Sequence, residues 1–218
     1  MTENEKYQIV TPIGKVMYPH LVEKHTKGQY ASNKHEVQLL IPKEEFKKEI
    51  GKEFQNTILK VGQLKIGKGW TKKSFNPLKD GDVKAKDLVE DGKYESLEEV
   101  PHKGHILIRA KEDMKPTVYG PNKEVWDDTQ IANIKSGDLV RLVVSVWASP
   151  SGFTNNKGGV TLFLKAVQFV RTGQPINLPS ATPAGALFDE IEISGEDITV
   201  ADVNEEIVDD VDSILPVM

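Results

Sequence analysis

Three segments in the second half of the chain alternate between a uniformly apolar side and a mixed one. In residues 105–111, Ile106, Ile108 and Ala110 share a side opposite His105, Leu107, Arg109 and Lys111. In 139–148, Val140, Leu142, Val144, Val146 and Ala148 oppose Leu139, Arg141, Val143, Ser145 and Trp147. In 160–171, Val160, Leu162, Leu164, Ala166 and Val170 oppose Phe163, Lys165, Val167, Phe169 and Arg171. A period of two predicts half-buried β-strands, with the apolar side on a core and the cations and rings on the other face. With one parity held throughout, Val167 and Phe169 are expected on that second face; a bulge would break the parity.

Earlier in the chain, Tyr7 to Val22 and Glu36 to Ile41 also read as strands, the latter with Val37, Leu39 and Ile41 turned one way and Pro42 as its stop. From Lys43 to Val61 the period changes: Phe46, Ile50, Phe54, Ile58 and Val61 recur every three or four residues and predict an amphipathic helix. Pro42 suits its start and Gly62 its end. Residues 67–101 are rich in Gly, Lys and Asp, with a turn signature at 76–82, and are expected to be mainly long, ordered loops. Short β elements around one helix, without repeated βα units, give a mainly β, α+β or barrel class.

Charge divides the chain. Its 28 bases and 33 acids sum to −5, yet the last base is Arg171. Residues 172–218 hold 11 acids and no base, which leaves the body 28 bases against 22 acids, a net charge of +6. With Gly173, Pro175, Pro179, Pro183 and Gly185 leading into the acidic run, the expected division is a binding domain at 1–175 and a flexible, disordered acidic tail at 176–218. A basic body beside an acidic tail implies that the body binds a polyanion.

Composition removes several alternatives. Without cysteine there are no disulfides, thiolate metal sites or Cys nucleophiles, and a cytoplasmic protein is expected. No apolar run approaches the roughly 18 residues of a membrane span, and the first residues lack the pattern of a secretory signal. Residues 62–69 approach a P-loop, but Gly69 stands where a magnesium-holding hydroxyl is needed and Pro77 follows closely. His102 and His105 have no arranged carboxylate partner, and Asp80, Asp82 and Asp87 lie in a turn-rich, lysine-bearing stretch. No enzymatic activity, cofactor or metal is expected.

A face that alternates cations with rings fits single-stranded nucleic acid, whose phosphates are tracked by Lys and Arg and whose exposed bases stack on aromatic side chains. The strand candidates are Arg109, Lys111, Arg141, Trp147, Phe163, Lys165, Phe169 and Arg171. Two Gly-containing loops add Lys72, Lys73 and Phe75 after Trp70, Lys79 beyond them, and Phe153 with Lys157. Stacking does not read sequence, so low specificity is expected. In the plainer alternative the rings pack under the helix or in a dimer interface, Trp70 and Phe75 plug the barrel, and the chain is a protein-interaction or assembly module.

The motifs Phe75-Asn-Pro77-Leu-Lys79-Asp-Gly81-Asp82, Ser136-Gly-Asp-Leu-Val-Arg141, Trp147, Gly158-Gly-Val160 and Val167-Gln-Phe-Val-Arg171-Thr-Gly173 resemble those of phage-encoded single-stranded DNA-binding proteins. The resemblance covers most of residues 7–175. It implies an OB-type Greek-key β-barrel with an acidic C-terminal tail, in a protein of the host cytoplasm that coats and protects single-stranded DNA during phage replication and recombination. It places Phe75, Lys79, Arg141 and Trp147 in the ligand groove, and it implies that the tail recruits replication proteins. Tails of related single-strand binders often close on an apolar tip with a terminal Phe. Here Asp209, Asp210 and Asp212 precede Ile214 and Leu215, and the chain ends in Met218. These acids and the two apolar residues are the candidate partner-binding positions, and a homodimer is a further expectation.

Overall fold

The computed structural model describes residues 7–28, 31–152 and 158–176. The chain divides into two units, residues 1–179 and 180–218, and all described residues fall in the first. Its strands are β1 (Gln8–Val10), β2 (Gly14–His20), β3 (His35–Pro42), β4 (Lys79–Asp80), β5 (His105–Glu112), β6 (Thr117–Tyr119), β7 (Leu139–Ser149) and β8 (Gly159–Arg171). The helices are α1 (Glu49–Lys65), α2 (Trp70–Lys73), α3 (Gly81–Glu90) and α4 (Asp128–Ala132).

Five strands close on themselves in the order β2-β3-β5-β8-β7 and back to β2. All neighbours are antiparallel except β5 and β8, which run parallel through Ala110 opposite Leu162 and Lys111 opposite Phe163. This is a closed OB-type barrel, and closure removes the open edges that its long strands would otherwise expose. β1, β4 and β6 add to it on β7, β5 and β8.

The apolar sides of the strands meet in one core. Val37, Leu39, Ile41, Ile108, Ala110, Val140, Leu142, Val144, Val146, Ala148, Val160, Leu162 and Leu164 are all buried in it, as their alternation predicts. Beyond Leu164 the parity fails. Val143 pairs with Ala166 but Val144 with Leu164, so Lys165 is an extra residue in β8. Such a bulge turns the side chains after it to the other face, until a second extra residue, Val170, turns Arg171 outward again. Val167 is therefore buried in the core, and Phe169 packs against it and against Trp126, ring centroids 4.9 Å apart.

Two boundaries differ from the sequence reading. The stretch from Tyr7 to Val22 is two strands, broken at Thr11 and Pro12; the buried Thr11 bonds Leu142 through its backbone and accepts from the Leu142 N–H at its Oγ1. The helical stripe begins as a 3-10 turn at Lys43–Lys47 and continues as α1 past Gly62 to Lys65. Phe54, Ile58 and Val61 enter the core, and Phe46 packs on it from the turn. Gly62 does not end the helix: a Cβ there would stand 2.1 Å from the ring of Trp70, so the glycine makes room for a core tryptophan only 4 % exposed. Trp70 thus plugs the core.

Residues 67–101 carry more structure than loops. Asp80 caps α3, its Oδ1 accepting from the Asp82 N–H at 2.9 Å, and Ala85 and Leu88 bury with Val100 in a small second cluster. The acids of this stretch are engaged locally: Lys43 Nζ lies 2.6 Å from both Asp80 Oδ1 and Asp82 Oδ2, and Asp82 Oδ1 accepts from the Gly104 N–H.

Candidate nucleic-acid interface

At the end of the barrel where β8 begins, three rings and several cations come together on the outer face. Phe75 bridges to Gly159 in parallel: its N–H donates to the Gly158 carbonyl and its own carbonyl accepts from the Val160 N–H, both at 2.9 Å. The path there is narrow. A Cβ on Gly158 would meet the carbonyl oxygens of Pro150 and Ser149 at 2.6 and 2.7 Å, so only glycine lets the backbones pass this closely. Trp147 and Phe163 project from neighbouring strands with ring centroids 6.2 Å apart at 59°, a tilted pair. Phe75 and Trp147 are 40 % and 39 % exposed, an unusual fate for large rings and unlike the buried Trp70.

Cations stand beside these rings. Lys79 Nζ lies 4.5 Å from the centroid of Phe75, and Lys165 Nζ lies 5.9 Å from that of Phe163 while bonding Glu112 at 2.7 Å. Lys79 pairs across β4 and β5 with Leu107, and Lys111 is opposite Phe163. Partial burial, then the charges of Arg109 and Lys34, push the Lys111 ammonium below its ordinary pKa. An approaching phosphate would relieve that crowding.

Arg109 is held in place. Its Nη2 donates to both carboxylate oxygens of Glu36, at 2.6 and 2.5 Å, and its Nε donates to Oε2 at 3.2 Å. The Glu36 side chain is only 2 % exposed, and its Oε1 also lies 2.9 Å from His25 Nδ1. Burial alone would raise the Glu36 carboxyl, but hydrogen bonds to its charged form outweigh it and leave the pKa below the ordinary value. Sequence reasoning missed Glu36 and His25. A signal was present: Glu36 is the one acid in a strand whose core-facing residues Val37, Leu39 and Ile41 have the opposite parity.

The remaining candidates lie elsewhere. Arg141 donates from Nε to Gln168 Oε1 at 2.8 Å and lines a groove of about 690 Å³ with Ile9, Ile50, Tyr119 and Lys123. Arg171 is eight residues along β8 from Phe163, roughly 26 Å at strand rise, beside Lys15 and Gly173. Phe169 faces the core, as described. Lys72 and Lys73 fall in α2, whereas Phe153, Lys157 and the tail positions Asp209, Asp210, Asp212, Ile214 and Leu215 lie outside the described residues. Among the described residues no helix is long and apolar enough to cross a membrane.

The same architecture occurs in solved phage proteins. The single-stranded DNA-binding protein of bacteriophage Enc34, solved in complex with ssDNA, superimposes with a TM-score of 0.60 at 20 % identity, over 81 % of this chain and 96 % of that one. Another structure of the Enc34 protein gives 0.58 at 21 % identity, over 86 % and 96 %. The gp2.5 single-stranded DNA-binding protein of bacteriophage T7 gives 0.53 at 12 % identity, over 77 % and 93 %. No curated protein matches the chain in sequence. The family model described as Enterobacter phage Enc34, ssDNA-binding protein, matches residues 7–198, nearly the whole chain. With the barrel and its exposed ring cluster, that match identifies the chain as a member of the Enc34 family of phage single-stranded DNA-binding proteins.

Proposed function

We propose that this chain coats single-stranded DNA during phage replication and recombination without reading its sequence, using the outer face built by β4, β5, β7 and β8. Bases stack on Phe75, Trp147 and Phe163, while Lys79, Arg109, Lys111 and Lys165 track the phosphates. The observation that carries this reading is the clustering of three accessible rings with lysines at one barrel end. Each stacked base contributes about 1 to 3 kcal/mol by alanine substitution, so three rings supply much of a useful affinity. Duplex DNA keeps its bases inside and offers these rings little.

The acidic tail has two roles in this reading. Its 11 carboxylates compete with DNA for the basic body, as a tethered polyanion at high effective concentration. Once displaced by DNA, it recruits replication or recombination proteins through Asp209, Asp210, Asp212, Ile214 and Leu215.

Titration with oligo-dT, followed by tryptophan fluorescence at several salt concentrations, tests the binding face. Strong quenching by the single strand, a weak response to duplex and affinity falling with salt support it. Absence of any response at low salt favours a subunit interface on the aromatic face. Deleting residues 189–218 is expected to tighten DNA binding and abolish partner recruitment; unchanged affinity would sink the competition.

A further inference from the structure

Four residues form one transverse row on the outer face of the barrel. His20 on β2 is the register partner of Glu36 on β3, Glu36 of Lys111 on β5, and Lys111 of Phe163 on β8. At about 4.8 Å between adjacent strands, the row spans about 14 Å. One end is the ring cluster already described. The other end is a second aromatic unit: the imidazoles of His20 and His25 stack with centroids 4.1 Å apart and planes within 6°.

The second unit is built rather than incidental. Glu36 fixes one ring by its 2.9 Å bond to His25 Nδ1 and fixes Arg109 by three hydrogen bonds. A bare carboxylate on a phosphate-tracking face would repel the strand; this one is buried, and its charge is spent on its neighbours. Rings held in this way have lost rotamer freedom before a ligand arrives, which lowers the cost of stacking a base on them. Both imidazoles are half-buried, so the pair is supported from below and still reaches the surface. Burial first, then the neighbouring His25, lowers the His20 pKa below its ordinary value.

We propose that the stacked His20–His25 pair is a second base-stacking platform for single-stranded DNA, positioned by Glu36, so that the strand crosses β8, β5 and β3 along the row. The inference rests on the single-strand-binding face proposed above and assigns it a direction and a far end. Glu36 is a positioning residue, and the platform lies three strands from Phe163.

The test is the affinity of the full chain for oligo-dT of graded length, from about 4 to about 16 nucleotides, the range of single OB-fold sites. His20→Ala and His25→Ala are expected to weaken binding roughly 5- to 100-fold on oligonucleotides long enough to reach the pair, and to leave the shortest that bind unaffected. His25→Phe is expected to restore the long-oligonucleotide affinity that His25→Ala loses, which separates stacking from a folding defect. Wild-type affinity in the alanine variants at every length would overturn the proposal, as would an equal loss at every length or failure of the phenylalanine to rescue. A wild-type chain that binds no oligonucleotide would instead refute the binding face itself.

Discussion

Lys111 of β5 and Phe163 of β8 are register partners across the barrel's single parallel pairing, so a cation and a ring are immediate neighbours on its outer face. Partial burial, then the charges of Arg109 and Lys34, lower the Lys111 pKa, and in the proposed role this ammonium meets a phosphate. Lys111→Ala is expected to weaken oligo-dT binding and to reduce the slope of log affinity against log salt by about 0.7, one phosphate contact for a single strand. An unchanged slope would remove Lys111 from the phosphate path.

The three tryptophans divide by environment. Trp70 is sealed in the core, Trp126 packs on Phe169, and Trp147 is exposed beside Phe163. Fluorescence quenching by single-stranded DNA is therefore expected to come mainly from Trp147. Trp147→Phe should remove most of the signal while keeping much of the affinity, and Trp70→Phe should leave the quenching in place. Quenching that survives Trp147→Phe would move the stacking site elsewhere.

Gly62 and Trp70 are a packing pair, the ring lying where a Cβ on the helix would be. Gly62→Ala forces the tryptophan out of its seat and is expected to cost about 1 to 3 kcal/mol despite the better helix propensity of alanine. Trp70→Ala leaves a cavity and is expected to cost about 3 to 5 kcal/mol. Urea denaturation of the two variants against the parent measures both.

Glu36 contributes a pH dependence whose sign follows from its lowered pKa. The folded state binds its proton more weakly than the unfolded chain, where the ordinary value is near 4.5. Its stabilisation is thus fully present above about pH 4.5 and is lost as pH falls through the lower folded value. Urea midpoints measured from neutral pH downward should fall less steeply below pH 4.5 in Glu36→Gln than in the parent. Parallel curves would show that the Arg109–Glu36–His25 contact adds nothing to acid sensitivity.

Much of the barrel was legible because strand burial has a period of two and each of the long strands writes it plainly. The alternation of Ile108 and Ala110, or of Val140 to Ala148, identified the core side residue by residue. The reading failed at Lys165, where one extra residue in β8 reverses the faces; a bulge is set by pairing with β7 and leaves no mark in the apolar pattern. It also passed over α3, although Asp80 followed by Ala85 and Leu88 carries a cap and a buried stripe, because Gly and Lys dominate the surrounding composition.

Sequence by itself determined the mainly β class, the core side of the early part of each strand and the contrast between a basic body and an acidic C-terminal run. These follow from local periodicity and from charge counting, which need no knowledge of neighbours. Only the tertiary structure decided which rings share a surface. Phe75, Trp147 and Phe163 come from three separate segments and meet because β8 pairs with β7 on one side and begins beside Phe75; Trp70, equally aromatic in sequence, is drawn into the core, and Phe169 packs against it. The placement of Glu36 between Arg109 and His25 is likewise a matter of register between strands, a long-range relation that no local pattern encodes.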